Sequence, residues 1–211
     1  MKILALSDEV VDAVDSMQIR DTYGDVGLVI GCGDLPYHYL EFVVSVLPVP
    51  VLYVHGNHDR STYMSDGSVS KEPQGCVLLE DRLVTTSGLA MAGLGGSIVY
   101  NRQSPFQYTD GDMRWRMIKL FPQLLFNRIR TGRYVDILVA HSPPQGIHDG
   151  EDMAHKGFGV FLNFMRLFRP KLLLHGHTFP YRLTPRNATR YEDTMVMNVF
   201  PVRVIEWPPH E

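Results

Sequence analysis

A chain of 211 residues with 45% hydrophobic and 20% charged residues can bury a sizeable core, and no linker-like stretch divides it, so a single domain over residues 1–211 is expected. The formal net charge of −3 leaves no basic footprint and argues against long nucleic acid as a ligand. Cys32 and Cys76 are too few for a disulfide framework. With no signal-like leader and no apolar run of membrane-spanning length, a soluble cytoplasmic protein is expected.

Residues 3–6 are a short apolar run that ends at Ser7-Asp8-Glu9, the mark of a strand covered on both faces. A helix is expected over residues 11–21. Residues 26–30 repeat the theme and end in Gly31-Cys32-Gly33-Asp34. Leu40, Val43, Val44 and Leu47 then recur at helical spacing within residues 37–47. A third apolar run opens VLYVHGNHD over residues 51–59. This β-α-β-α-β order favours a parallel sheet with right-handed crossovers.

Residues 61–75 are polar and turn-rich and read as an excursion over the surface. Residues 82–86 and 89–93 are strand-like and separated only by Ser87-Gly88, which suits a tight hairpin. A second irregular excursion is expected over residues 101–112. Residues 113–130 read as a helix disturbed at Pro122, with Trp115, Ile118, Leu125 and Ile129 on one stripe. Residues 136–140 form a buried strand ending in His141-Ser142-Pro143-Pro144. A helix over 158–168 follows, then a strand over 171–174 ending in His175-Gly176-His177. Residues 194–199 and 202–207 alternate and read as closing antiparallel strands.

Five apolar strands thus end in metal-competent residues: Asp8, Asp34, Asn57 with His58, His141, and His175 with His177. Ligands of open α/β sheets gather at the carboxyl ends of strands, so these residues should converge on one crevice. Singly, each has a plainer reading. Asp8 or Asp34 would serve as a helix N-cap, and His141 or His175 as a buried histidine bonded to backbone. Five coincidences at five strand ends favour a metal crevice. Two carboxylates, an amide oxygen and imidazoles suit Mn, Fe or Zn with open positions, rather than a closed thiolate zinc site. His58 beside such an ion can bind a phosphate oxygen or protonate a leaving alcohol, with Asp59 fixing its tautomer.

In order and spacing, Asp8, the GCGD ending at Asp34, GNHD at residues 56–59, HSPP at His141 and GHT at His177 resemble the calcineurin-like metallophosphoesterases. The resemblance implies a four-layer α/β/β/α sandwich. It also implies that Asp34 bridges two metals, that Asn57, His141 and His177 complete the second site, and that His58 is the proton donor or phosphate ligand. Two departures accompany the match. The family's Asp-x-His is here Asp8-Glu9-Val10, and its Gly-His-x-His is Gly176-His177-Thr178-Phe179. Both lost histidines belong to the first site, which keeps only Asp8 and Asp34, so one tight divalent metal is expected with the second weak or absent. Tyr37 stands where the related purple acid phosphatases place a metal-binding tyrosine, but packing at a helix start is the preferred reading. His175 should point away from His177 and is read as structural.

The expected function is hydrolysis of small or nucleotide-like phosphate mono- or diesters, with metal-bound hydroxide attacking in line and His58 assisting the leaving group. Turnover should be slow with one tight metal. Arg102 is a candidate phosphate contact, although an exposed surface arginine is the commoner case. The alternative is a degenerate member that binds a nucleotide or a protein partner with little turnover. A dinucleotide-binding fold ranks third, because neither glycine cluster completes G-x-G-x-x-G before a helix. No membrane association and no particular oligomeric state is implied.

Overall fold

The apolar runs become the inner strands of two stacked sheets. The computed structural model describes residues 1–63, 69–101, 103–179 and 188–209. It begins with β1 (Lys2–Leu6), α1 (Ile19–Tyr23), β2 (Val26–Gly31), α2 (Tyr37–Val46) and β3 (Val51–Tyr53). The pairs β4 (Thr62–Tyr63) and β5 (Val69–Ser70) follow, then β6 (Val77–Leu78), β7 (Leu83–Thr86) and β8 (Leu89–Leu94). Next are β9 (Ser97–Ile98), β10 (Gln107–Tyr108), α3 (Asp110–Thr131), β11 (Ile137–Ala140), α4 (Gly159–Phe168) and β12 (Leu172–His175). The chain closes with β13 (Ala188–Tyr191), β14 (Thr194–Asn198) and β15 (Val202–Glu206).

The first sheet has the order β15-β1-β2-β3-β6 and the second β13-β14-β12-β11-β8-β7. Both are parallel inside and carry antiparallel strands only at their edges. Alternation along each strand sends side chains to two different layers. Ile3, Leu28, Ile30 and Leu52 meet Met91, Ile137, Val139 and Leu172 between the sheets. Leu4, Leu6 and Val29 face outward onto Ile19 of α1 and Leu40 and Val43 of α2. On the far side, Leu138 and Leu173 pack under Leu120 and Leu124 of α3 and Phe161 and Phe164 of α4. Each such side chain contributes about 1.5–3 kcal/mol relative to exposure. The result is the four-layer α/β/β/α sandwich, and no described helix is long and apolar enough to cross a membrane.

The Ser87-Gly88 hairpin forms as expected. Ser87 and Gly88 have φ of 50° and 79°, and Thr86 pairs with Leu89, so both turn residues are left-handed as a two-residue hairpin requires.

Three expectations change. The helix expected over residues 11–21 is limited to α1, and residues 11–18 form separate turns closed by bonds such as Val14 to Val11 and Ile19 to Ser16. Valines, aspartates and Ser16 disfavour a continuous helix there. The second irregular excursion ends early, because Thr109 and Asp112 form a reciprocal capping box that starts α3. Helix α3 runs through Pro122 with the opposite face inward: Met113, Arg116, Leu120, Leu124 and Asn127 are buried, while Trp115, Ile118, Leu125 and Ile129 are exposed. Its rotation is fixed by Arg116, which pairs with Glu80 and Asp81, donates to the Gly95 carbonyl at 2.8 Å and lies over the Tyr108 ring. The closing strands are antiparallel as expected and lie in different sheets: β14 runs antiparallel to β13 and parallel to β12 in the second, and β15 antiparallel to β1 in the first, since alternation sets a strand's faces and not its partner. The expectation for residues 61–75 falls partly outside the described residues, whose remainder there includes the β4–β5 pair.

Candidate metal centre

The carboxyl ends of β1, β2, β3, β11 and β12 deliver Asp8, Asp34, Asn57, His141 and His177 to one edge of the sandwich. Sharp reversals follow these strands. Asp8, Asp34 and His177 adopt left-handed backbone, with φ of 67°, 55° and 65°, a region where Asp and His are tolerated and bulkier side chains are not. Two glycines make room. A Cβ on Gly56 would stand 2.0 Å from Asp34 Oδ1, and one on Gly176 would stand 1.7 Å from Ser7 Oγ.

The convergence centres on His141. Its Nε2 is 3.1 Å from Asn57 Oδ1, 3.1 Å from His177 Nδ1 and 3.3 Å from Asp34 Oδ2. The donor atoms of Asp34, His141 and His177 all lie within 4.8 Å of one another. The second ring nitrogen of each histidine is committed: His141 Nδ1 donates to the Cys32 carbonyl at 2.8 Å and His177 Nε2 to the Ala154 carbonyl at 2.6 Å. Both rings therefore aim their inner nitrogen at the carboxylate and amide oxygens, and His141 offers a lone pair there once its Nε2 proton is lost. Backbone carbonyls behind ligand histidines are the usual means of fixing tautomer and ring orientation. Donors held about 2.1 Å from an ion stand roughly 3.0–3.4 Å apart, so the spacing fits a divalent cation.

Charge is concentrated in the same place. Burial opposes protonation of His141, but the charge and hydrogen bond of Asp34, aided by Asp8, outweigh it and raise the imidazole to about 9. Burial, reinforced by His141, pushes His177 down to about 3. Asp34 is held below the usual carboxylate range: burial opposes this, and His141 with the His58 amide prevails. Asp8 is raised, chiefly by burial.

The other sequence candidates fall beside this set. Asp8 accepts the His177 amide at 3.0 and 3.2 Å and the Ser7 hydroxyl. His58 is exposed, and its amide donates to Asp34 Oδ1 at 2.7 Å. The expectation that Asp59 fixes the His58 ring is corrected. Its carboxylate accepts the amides of Gly56 at 2.8 Å and Leu35 at 3.1 Å, so it orients loop backbone. Burial pushes Asp59 up to about 7. Val10 is exposed, and Phe179 packs edge-on against Phe200. Tyr37 is buried, which pushes its phenol up to about 12 and keeps it a poor ligand. His175 faces away: His148 donates to its Nε2 at 2.9 Å, and its Nδ1 donates to the Gly176 carbonyl. Arg102 lies outside the described residues.

Three supporting groups escaped sequence reasoning. The Tyr100 hydroxyl accepts from Asn57 Nδ2 at 3.1 Å, which turns the amide oxygen toward His141. The Ala154 carbonyl comes from the loop before α4. In the same loop, His155 pairs with Asp152 at 2.9 Å and its ring lies 5.4 Å from that of His177. A polar, glycine-rich loop carrying histidines was the only signal available, and nothing in it indicates which strand end it covers.

The calcineurin-like phosphoesterase family model matches residues 5–181. An uncharacterized protein of Haemophilus influenzae is 26% identical over 163 residues, 64% of this chain and 68% of its own. The crystal structure of TT1561 of Thermus thermophilus superimposes with a TM-score of 0.63 at 14% identity, covering 94% of this chain and 88% of that one, and shares the fold. The sulfate thiohydrolase SoxB of Thermus thermophilus aligns with a TM-score of 0.43 at 16% identity, over 86% of this chain and 36% of its own. That likeness is too slight to bear on function.

Proposed function

Because the chain belongs to the calcineurin-like phosphoesterase family, whose members use divalent metals, we propose that it hydrolyses small or nucleotide-like phosphate mono- or diesters at the His141 centre. The observation that supports this reading most is the set of Asp34, Asn57 and His177 donor atoms within 3.3 Å of His141 Nε2. Asp34, Asn57, His141 and His177 would hold one divalent ion, and their oxygen and nitrogen donors suit Mn, Fe or Zn. Such an ion neutralises phosphoryl charge and activates water as the nucleophile.

The remaining steps fall to the chain's own groups. Asp34 uses one carboxylate oxygen to hold the His58 amide and turns the other toward His141. This couples the position of His58 to the centre. The exposed His58 imidazole protonates the leaving alcohol or holds a phosphate oxygen. Asp59 keeps the Gly56 turn closed behind it. With Val10 and Phe179 in place of donors, Asp8 and Asp34 alone remain for a second ion, which binds weakly or not at all.

The test is metal content and hydrolysis of bis(p-nitrophenyl) phosphate and p-nitrophenyl phosphate after reloading with Mn(II). About one ion per chain is expected, lost in His141→Ala, and His58→Ala should lower kcat roughly 10²–10⁴-fold. Hydrolysis that survives both substitutions and chelation would defeat the proposal. A second reading, a binding module with little turnover, is favoured by the exposed Val10 and the Phe179–Phe200 contact. Tight nucleotide binding with no hydrolysis above that of His58→Ala would favour it.

A further inference from the structure

Helix α3 is apolar on two sides. Met113, Leu120 and Leu124 pack on the second sheet. On the other side, Trp115, Ile118, Phe121, Leu125, Phe126 and Ile129 are between 39% and 77% exposed. Six large side chains on one helix expose on the order of 600 Å² of apolar surface, close to the roughly 800 Å² that each partner contributes to a stable interface.

The spacing identifies the kind of partner. Trp115, Ile118, Pro122, Leu125 and Ile129 follow steps of three, four, three and four, a period of 3.5 that marks a seam between two helices. The charges identify its direction. Asp110 and Asp112 occupy the first turn, and Arg128 and Arg130 the last. An antiparallel copy of the same helix sets each acidic turn beside a basic one and opposes the two helix dipoles. A two-fold axis across the helix generates that arrangement from identical surfaces. An anionic lipid surface would attract the basic turn but repel the acidic one.

We propose that the exposed face of α3 is the seam of a two-fold symmetric dimer, with two α3 helices packed antiparallel and crossing near Pro122. The seam is separate from the His141 centre and stands independently of the proposed hydrolysis.

Sedimentation equilibrium tests it. The chain of 24.0 kDa should sediment at about twice that mass, and the double variant Ile118→Glu, Leu125→Glu should halve it with an unchanged circular-dichroism spectrum, since both side chains are exposed. In a Cys76→Ser background, Leu125→Cys should crosslink through a short bismaleimide and Ile129→Cys should not, because only the former lies near the crossing. A monomer at every concentration tested would overturn the proposal. So would a dimer that persists in the double variant, equal crosslinking at both positions, or monomeric binding to phosphatidylglycerol vesicles that the double variant abolishes.

Discussion

The backbone amide of His177 donates to both carboxylate oxygens of Asp8, at 3.0 and 3.2 Å, and so ties the end of β12 in one sheet to the end of β1 in the other. Asp8 therefore positions the loop that carries His177. Removing the carboxylate in Asp8→Ala should weaken ion affinity roughly 10–100-fold through misplacement of His177. Asp8→Asn, which keeps an acceptor, should retain most of it. Competition with a chromogenic chelator separates the cases, and equal loss in both variants would mean that Asp8 binds the tight ion directly.

The His141 centre should exchange a proton for its ion. Asp34 raises His141 to about 9 against the effect of burial, so at pH 7 the free centre carries a proton that ion binding must displace. Affinity should rise by up to tenfold per pH unit below about pH 9 and level off above it. Calorimetry in buffers of different ionisation enthalpy should register about one proton released per ion at pH 7. A pH-independent affinity between pH 6 and 8 would show that His141 is already neutral.

Tyr100→Phe isolates the aim of one amide. Without the hydroxyl that accepts from Asn57 Nδ2, the amide loses its fixed orientation. A roughly tenfold or greater loss of ion affinity is expected, with thermal stability nearly unchanged because Tyr100 is exposed.

Glu80 and Arg116 form a largely buried pair, and Glu80 also accepts the His55 amide at 3.0 Å. Glu80→Gln leaves Arg116 with Asp81 and the Gly95 carbonyl, and should cost about 3 kcal/mol in urea unfolding. Burial opposes ionisation of Glu80, yet the hydrogen bond of His55 and the charge of Arg116 hold it below its usual 4.5. A carboxylate depressed in the folded state contributes fully above that ordinary value and loses the contribution as pH falls through the lower one. The wild type should accordingly lose more stability than Glu80→Gln on acidification below about pH 4.5. Parallel pH profiles would remove the ion pair from the account.

The strands and their ends were legible because apolar runs of four to six residues stopping at Asp, Asn or His leave few alternatives. Asn57, His141 and His177 come together at one point for that reason. The rotation of α3 was not legible, because Trp115, Ile118, Leu125 and Ile129 make as convincing an inward face as Met113, Leu120 and Leu124. The deciding residue, Arg116, finds its partners in Glu80 and Asp81, more than thirty positions away. The same limit hid the true partners of Asp59. A carboxylate next to a histidine in sequence looks like its companion, whereas the Gly56 turn carries Asp59 back onto the amides of Leu35 and Gly56. Carbonyl groups such as those of Cys32 and Ala154 leave no trace in residue type at all.

The left-handed backbone at Asp8, Asp34 and His177 sets stability against service. Glycine relieves strain of about 1 kcal/mol at a position of this kind, so His177→Gly removes a donor while easing the backbone that carries it. Selection for a robust fold alone would drift toward an empty crevice. Thermostability screens run without an assay for the bound ion would enrich for that outcome, and consensus-style stabilisation should leave these three positions untouched.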